Sequence, residues 1–156
     1  MRLRSRTPSG VTLEKGERTL AVAPTRGGSH VVATTTALHI PDGSGGFTRI
    51  PWDHVENASW KDGWLHVQEK TDHHVRLTEA GSVPETVRER VTSTIAVTHQ
   101  ATLPGGGKVR IAGRRPATGG DVRWTFVFET GMDPSDPGLR AQAEQALEDL
   151  RRRTGL

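Results

Sequence analysis

Short runs in which apolar and polar residues alternate recur along most of this 156-residue chain. An alternation with a period of two predicts β-strands that bury one face and expose the other. Val97, His99 and Ala101, for example, share one face of a run whose other face is polar. The predicted strands lie at residues 19–23, 31–40, 47–60, 64–69, 74–78, 95–103, 109–111 and 122–128. The third run has irregular spacing, which indicates a bulged or bent strand.

Turn-forming residues separate these runs and indicate antiparallel hairpins. The clearest turn is the segment 41–46 (Pro-Asp-Gly-Ser-Gly-Gly), and Lys61-Asp62-Gly63 provides another. The chain has 18 glycines and 9 prolines, and only 33% of its residues are hydrophobic. This composition is typical of proteins with many turns and few long helices. The sequence therefore predicts a mainly β protein.

Residues 82–92 have helical spacing instead. Valines recur every fourth residue from Val83 to Val91, and the residues between them are mostly charged. Ser82 precedes this pattern, and Glu85 follows Ser82 at the spacing of a capping box. The pattern predicts a short amphipathic helix in the middle of the chain.

A second helix is predicted at 136–153. Asp136 can cap its start, a glycine at position 155 can end it, and apolar residues recur at helical spacing between them. Arginines at the last three positions of this segment complement the negative end of the helix dipole. With two helices beside the strands, the predicted fold class is α+β, with β structure dominant.

The first half of the chain resembles bacterial pleckstrin-homology-like (PH-like) domains, including their GRAM-type variants. The resemblance rests on Gly16-Glu17 before the first strand, the run 32–40 and the segment 50–55 (Ile-Pro-Trp-Asp-His-Val). It covers residues 16–78, about half of the chain. It implies a partly open β-barrel of about seven to eight antiparallel strands, with one end plugged by the C-terminal helix. The short middle helix departs from the family, which often has only a turn there. The last three strands can therefore either complete the barrel or form a small second layer with the last helix.

The predicted domain organisation is a short tail followed by one domain. Neither half of the sequence has many apolar strand faces, so residues 16–156 are predicted to form a single PH-like domain with one shared core. Residues 1–15 show no periodicity and carry Arg2, Arg4 and Arg6. They are predicted to form a flexible basic tail.

Composition and charge exclude several kinds of chemical site. The chain has no cysteine, which excludes disulfides, a thiol nucleophile and a thiolate zinc site. Its 21 Lys and Arg residues exceed 18 Asp and Glu residues by only three, so general affinity for anions is weak. Neither a signal peptide nor a long apolar run is evident, which predicts a soluble cytoplasmic protein. The Arg-rich, tyrosine-free composition is similar to that of proteins from high-GC bacteria such as actinobacteria.

No group of residues has the spacing of a catalytic or cofactor site. The glycine-rich segment 103–109 differs from a phosphate-binding loop, because Thr102 replaces its first glycine and Val109 its magnesium-binding hydroxyl. The sequence therefore predicts a non-enzyme without cofactor or metal. Histidines of the first half of the chain are interpreted as exposed strand residues: His39, His54, His66, His73 and His74.

Two sets of residues remain as candidate partner contacts. Trp52 shares the inward register of Ile50 and is predicted to be buried, whereas Trp64 is out of register and is predicted to be partly exposed. Four arginines on neighbouring strands of the second half form a predicted basic stripe on the solvent face: Arg110, Arg114, Arg115 and Arg123.

These observations favour a non-catalytic binding or scaffolding module. Its predicted partner is another protein, bound through a strand edge or through the groove beside the last helix. The alternative is an anion-binding module that uses the basic stripe to hold nucleic acid or an acidic membrane surface. Recognition of a lipid headgroup is disfavoured, because the loop between the first two strands offers Arg26 as its one cation.

Overall fold

The computed structural model describes residues 7–156. Within this range, ten strands form three antiparallel sheets and are accompanied by two α-helices. The predicted mainly β class is therefore confirmed. Residues 7–15 contain no helix or strand, and the arginines at positions 2, 4 and 6 of the predicted basic tail lie outside the described residues. Neither helix of the described part combines the length and apolarity needed to span a bilayer.

The described residues group into two compact units. Unit 1 comprises residues 7–94 and 116–119, and unit 2 comprises residues 95–115 and 120–156. This grouping differs from the predicted single domain, because the buried apolar side chains form two separate clusters. Each unit obtains the apolar surface that its strands lack from a helix of its own.

Unit 1 contains two antiparallel sheets, with four strands in the order β1-β2-β3-β4 and three in the order β5-β6-β7. The sheets meet where Thr25, after β1, forms an antiparallel bridge with Leu77, after β7. Among the described residues the strands do not close into a barrel. The strands are β1 (Thr19–Pro24), β2 (His30–Thr34), β3 (Ala37–Pro41), β4 (Phe47–Pro51), β5 (Asn57–Lys61), β6 (Trp64–Gln68) and β7 (Asp72–Arg76).

Helix α1 (Val83–Ser93) follows these strands and packs against β1, β2 and β5. Val83 and Val87 are buried in the core of unit 1, as their spacing predicted, beside the fully buried Trp52. Ser82 is the N-cap residue, but its side chain makes no capping hydrogen bond, so the predicted capping box is not formed. The helix that covers the strands of unit 1 is therefore α1, whereas the helix predicted to plug a barrel belongs to unit 2.

Two predicted strands are each broken into two. The run 31–40 turns after β2, because the Thr34 hydroxyl accepts hydrogen bonds from the backbone N–H of Thr36 at 3.3 Å and of Ala37 at 3.0 Å. The run 47–60 is interrupted by a 3₁₀ turn at Trp52–His54, which directly follows Pro51. Local turn chemistry overrides the β-branched and apolar pattern at both places.

The prediction that His39 is an exposed strand residue is wrong. Its side chain is 2% exposed, and its Nε2 lies 2.9 Å from Oε2 of the buried Glu17. The Glu17 carboxylate also accepts hydrogen bonds from the Thr34 hydroxyl and, at 2.9 Å, from the Glu14 backbone N–H. Arg49 Nε lies 3.6 Å from Oε1 of Glu17. A buried polar network therefore joins the segment before β1 to β2, β3 and β4.

Unit 2 is a three-stranded meander followed by a long helix. The strands lie in the order β10-β9-β8, and Asp136 caps the helix by accepting hydrogen bonds from two backbone N–H groups. The helix ends at Gly155, whose φ of 74° lies in the left-handed region, as predicted. The elements are β8 (Ile95–Thr102), β9 (Lys108–Arg114), β10 (Arg123–Phe128) and α2 (Pro137–Thr154).

Candidate functional site

An open groove of about 540 Å³ runs between strand β5 and helix α1 of unit 1. Half-buried Ala58, Pro84 and Val91 contribute apolar surface to it, and Trp60 of β5, which is 39% exposed, lines it as well. Most ligand sites are concave and apolar, with a few polar groups at their margins. This groove combines an apolar floor with polar margins and is the candidate functional site.

The register of the β5–β6 hairpin determines which groups face the groove. Asp62 and Gly63 form its two-residue turn with positive φ angles of 52° and 83°. Positive φ at both central positions is typical of the turns that match strand twist in two-residue hairpins, and Asp and Gly tolerate it. The turn sets Lys61 opposite Trp64 and sets Trp60 opposite Leu65.

Strand β5 is an edge strand, so half of its backbone groups point away from the sheet. In a two-residue hairpin the residues that flank the loop exchange hydrogen bonds, and bonded and non-bonded pairs then alternate. Ala58 and Trp60, opposite Val67 and Leu65, occupy the non-bonded positions. Their N–H and C=O groups therefore point away from β6, along the side of β5 that lines the groove.

The rim of the groove is acidic. Glu56 precedes β5, and Glu85 and Glu89 project from α1, whereas Arg88 is the one basic side chain that lines the groove. All four are exposed. Glu89 Oε1 lies 3.8 Å from Arg90 Nη2, so Glu56 and Glu85 supply most of the acidic excess. This excess favours a ligand that carries positive charge beside its apolar groups.

Trp64 lies on the opposite face of the same sheet. Its side chain is 43% exposed, which confirms the predicted partial exposure, and the Arg76 guanidinium lies 5.7 Å from its ring centroid. Trp64, Arg26, His74 and Arg76 line a shallower depression of about 460 Å³. Trp64 therefore does not contribute to the groove beside α1.

The predicted basic stripe lies entirely in unit 2. Arg110, Arg115 and Arg123 are exposed, but Arg114 is only 5% exposed. Arg114 pairs with Arg123 across β9 and β10. The placement of Arg114 on the solvent face is therefore wrong, and the exposed cations do not form a continuous row along β9.

Trp60 lines the groove, but the sequence pattern did not single it out as a candidate contact. The irregular apolar spacing of 47–60 indicated a bent strand and gave Trp60 no defined orientation. The sequence signal for the orientation of Trp60 is the Asp62-Gly63 dipeptide. A two-residue turn fixes which residues of the two flanking strands lie opposite each other. Once that register is fixed, Trp60 lies on the face of Leu65 but at the sheet edge.

Comparison with known proteins adds no assignment: no family model matches the chain, and neither a curated protein nor a solved structure is significantly similar to it. The function of the groove therefore has to be inferred from its own geometry and charge.

Proposed function

We propose that this protein is a non-catalytic binding module whose unit 1 captures an extended segment of another protein. The segment adds to β5 as a further strand and lies in the groove against α1. The observation that carries this proposal is the edge of β5, which pairs only with β6 among the described strands and whose outward backbone groups at Ala58 and Trp60 meet an apolar groove. Edge backbone groups supply affinity in this binding mode, and adjacent pockets supply specificity.

The proposal includes a PH-like fold for unit 1. A four-stranded sheet, a three-stranded sheet and a helix follow one another in residues 16–94. The seven strands agree with the number that the resemblance implies, but the covering helix is α1 and not the C-terminal helix. Glu17, which belongs to the Gly-Glu pair of that resemblance, is anchored in the buried network that joins three strands. Seven strands and one covering helix in a single unit support this assignment without any element of unit 2.

The chemistry of the groove also defines the partner. An added strand places alternate side chains toward the sheet face, where the half-buried Ala58 and Val91 offer apolar surface beside Trp60. The acidic rim of Glu56, Glu85 and Glu89 favours a Lys or Arg beside these apolar positions. The partner is therefore an extended segment that combines apolar and basic residues.

Anion binding is the alternative function, and one surface favours it. Arg26 and Arg76 border the depression beside Trp64, so two cations and an aromatic ring converge on one face of unit 1. Two guanidinium groups suit a phosphate or carboxylate. Because this surface uses Trp64 and the groove uses Trp60, the two functions can be separated by mutation.

The Trp60→Ala variant is expected to weaken peptide binding about tenfold or more, because it removes the large apolar side chain at the centre of the binding edge. The Trp64→Ala variant removes the same side chain at similar exposure from the opposite face and is expected to leave affinity unchanged. Peptides are selected on the unmutated protein from a random displayed library, and their affinities for both variants are measured by fluorescence anisotropy.

The proposal is supported if the selected peptides carry Lys or Arg beside apolar residues. They must also bind the Trp64→Ala variant as tightly as the unmutated protein and the Trp60→Ala variant more weakly. Two results would contradict the proposal: no enrichment over an unrelated folded protein, or affinity that Trp60→Ala leaves intact. Peptides that are acidic, lose affinity steeply with salt and depend on Trp64 would favour anion binding instead.

A further inference from the structure

We propose that His66, Asp72 and His74 form a binding site for a borderline transition-metal ion such as Zn²⁺. These three side chains, called the histidine cluster below, lie on the β6–β7 hairpin of unit 1. The sequence predicts no metal site, and it predicts both histidines to be separate exposed strand residues. The structure brings them together, and the site does not depend on the groove beside α1.

Strand pairing places the two imidazoles side by side. His66 and His74 are direct partners across the antiparallel pair of β6 and β7. Side chains of such partners start only about 5 Å apart at Cβ. The two rings are stacked, with centroids 4.2 Å apart and planes 14° from parallel. Asp72 lies two residues before His74, so its side chain shares the same face of the strand.

The ligand atoms of all three side chains lie within 4.8 Å of one another, and His66 Nε2 is 3.9 Å from Asp72 Oδ1. Zn²⁺ binds imidazole nitrogen and carboxylate oxygen at about 2.0–2.2 Å, which places tetrahedral ligand atoms about 3.4 Å apart. Side-chain rotations must therefore bring the three atoms closer together by up to about 1.4 Å to reach coordination distance. One ring must tilt out of the stack so that both nitrogen lone pairs point at the same ion.

His66 Nε2 provides an independent reason for a ligand at this place. The atom is shielded from solvent, yet it has no hydrogen-bond partner among the described residues. A shielded polar atom without a partner is unfavourable, and a metal ion would satisfy it. The rest of the His66 side chain is 40% exposed, so an ion can approach the cluster from solvent.

The donor set favours one class of ion. Two imidazoles and one carboxylate suit Zn²⁺, Cu²⁺ or Ni²⁺, whereas Mg²⁺ and Ca²⁺ prefer sites made entirely of oxygen atoms. Three protein ligands leave a fourth position of a tetrahedral ion for water or a small ligand. Asp72 supplies a negative charge that offsets the positive charge of the ion. The nearby Arg76 guanidinium packs over the Trp64 ring.

The site is tested by titrating ZnCl₂ into the complete chain, purified without a polyhistidine tag, in a calorimeter. One ion is expected to bind with a dissociation constant in the micromolar range, and MgCl₂ is expected not to bind. His66→Ala and His74→Ala should each weaken zinc binding about tenfold or more, because each removes one of three ligands. A second readout is the NMR shift of the imidazole protons of both histidines on addition of zinc.

His54→Ala is the matched control, because His54 is also exposed and has a carboxylate neighbour, Asp53 Oδ2 at 3.7 Å. It should bind zinc as the unmutated protein does. His74→Gln also removes the imidazole ligand but keeps a side chain of similar size, so it should weaken zinc binding as His74→Ala does. Circular dichroism confirms that each variant is folded. Millimolar binding, unchanged binding in the His66 and His74 variants, or an equal loss in His54→Ala would overturn the proposal.

Discussion

Replacing Trp52 with alanine is expected to lower the free energy of unfolding of unit 1 by about 3 to 5 kcal/mol. Trp52 is the largest fully buried side chain among the described residues. Its indole Nε1–H donates a hydrogen bond to the Thr34 carbonyl oxygen at 2.9 Å. The substitution therefore opens a cavity in the core and leaves a buried carbonyl without its partner. Because a domain is stable by only about 5–15 kcal/mol, this loss is a large share of the total.

Urea denaturation, followed at individual amide resonances of unit 1, measures this loss. Trp52→Phe keeps most of the buried volume but removes the hydrogen bond, so its expected cost is smaller, about 2 kcal/mol. Trp64→Ala removes a tryptophan from the surface and is expected to cost less than about 1 kcal/mol. Equal losses for Trp52→Ala and Trp64→Ala would show that Trp52 does not anchor the core.

Acidification is expected to remove about 3 kcal/mol of stability through Glu17 alone. Burial on its own would raise the pKa of Glu17. The hydrogen bonds from the Thr34 hydroxyl, the Glu14 backbone N–H and His39, together with the positive charge of Arg49, outweigh burial and lower that pKa from 4.5 to about 2. Because the folded state holds the carboxylate ionised, the contribution is fully present above about pH 4.5. It is lost as the pH falls toward about 2.

Comparison with Glu17→Gln isolates this contribution, since other carboxylates titrate in the same range. The variant is expected to be less stable near neutral pH, and its stability should converge with that of the unmutated protein near about pH 2. Glu14→Gln is the matched control: its side chain is 64% exposed and lies 3.2 Å from Arg49, and an exposed ion pair contributes less than about 1 kcal/mol. If the free energies of unfolding of the unmutated protein and of Glu17→Gln differ by the same amount at every pH, the role assigned to the buried network is contradicted.

Periodicity in the sequence is sufficient to predict the strands and helices that bury one continuous face. Val83 and Val87 of α1 are buried as their spacing indicates. The alternation of β8 is confirmed only in part: its inward residues after position 96 are half-buried, but Ile95 is 43% exposed beside a shift in register. The ends of α2 also follow from the sequence, because Asp136 and Gly155 are typical capping residues. These features depend on residues close together in the chain, which is why the sequence alone predicts them.

The turns after β2 and β4 depend on side-chain chemistry that periodicity does not report. Thr34 favours a strand by its branching, yet its hydroxyl bonds two following backbone N–H groups and ends that strand. The burial of His39 depends on Glu17, which lies 22 residues earlier in the chain. No local pattern contains that pairing.

The candidate sites depend equally on pairing between strands. Trp60 faces the groove because the hairpin turn fixes its register and because α1 packs against β5. His66 and His74 meet because they are partners across β6 and β7. In the sequence these residues are three separate polar or aromatic positions, and only strand pairing brings Trp60 to the groove and the two histidines to each other.

Amide hydrogen exchange at β5 tests the proposed strand addition most directly. In the free protein, the Ser59 amide should exchange slowly because it bonds to β6, while the outward amides of Ala58 and Trp60 should exchange fast. With a saturating library-selected peptide, the exchange of the Ala58 and Trp60 amides is expected to slow about tenfold or more, as the peptide backbone accepts their hydrogen bonds. Binding that leaves both amides exchanging as in the free protein would contradict the account.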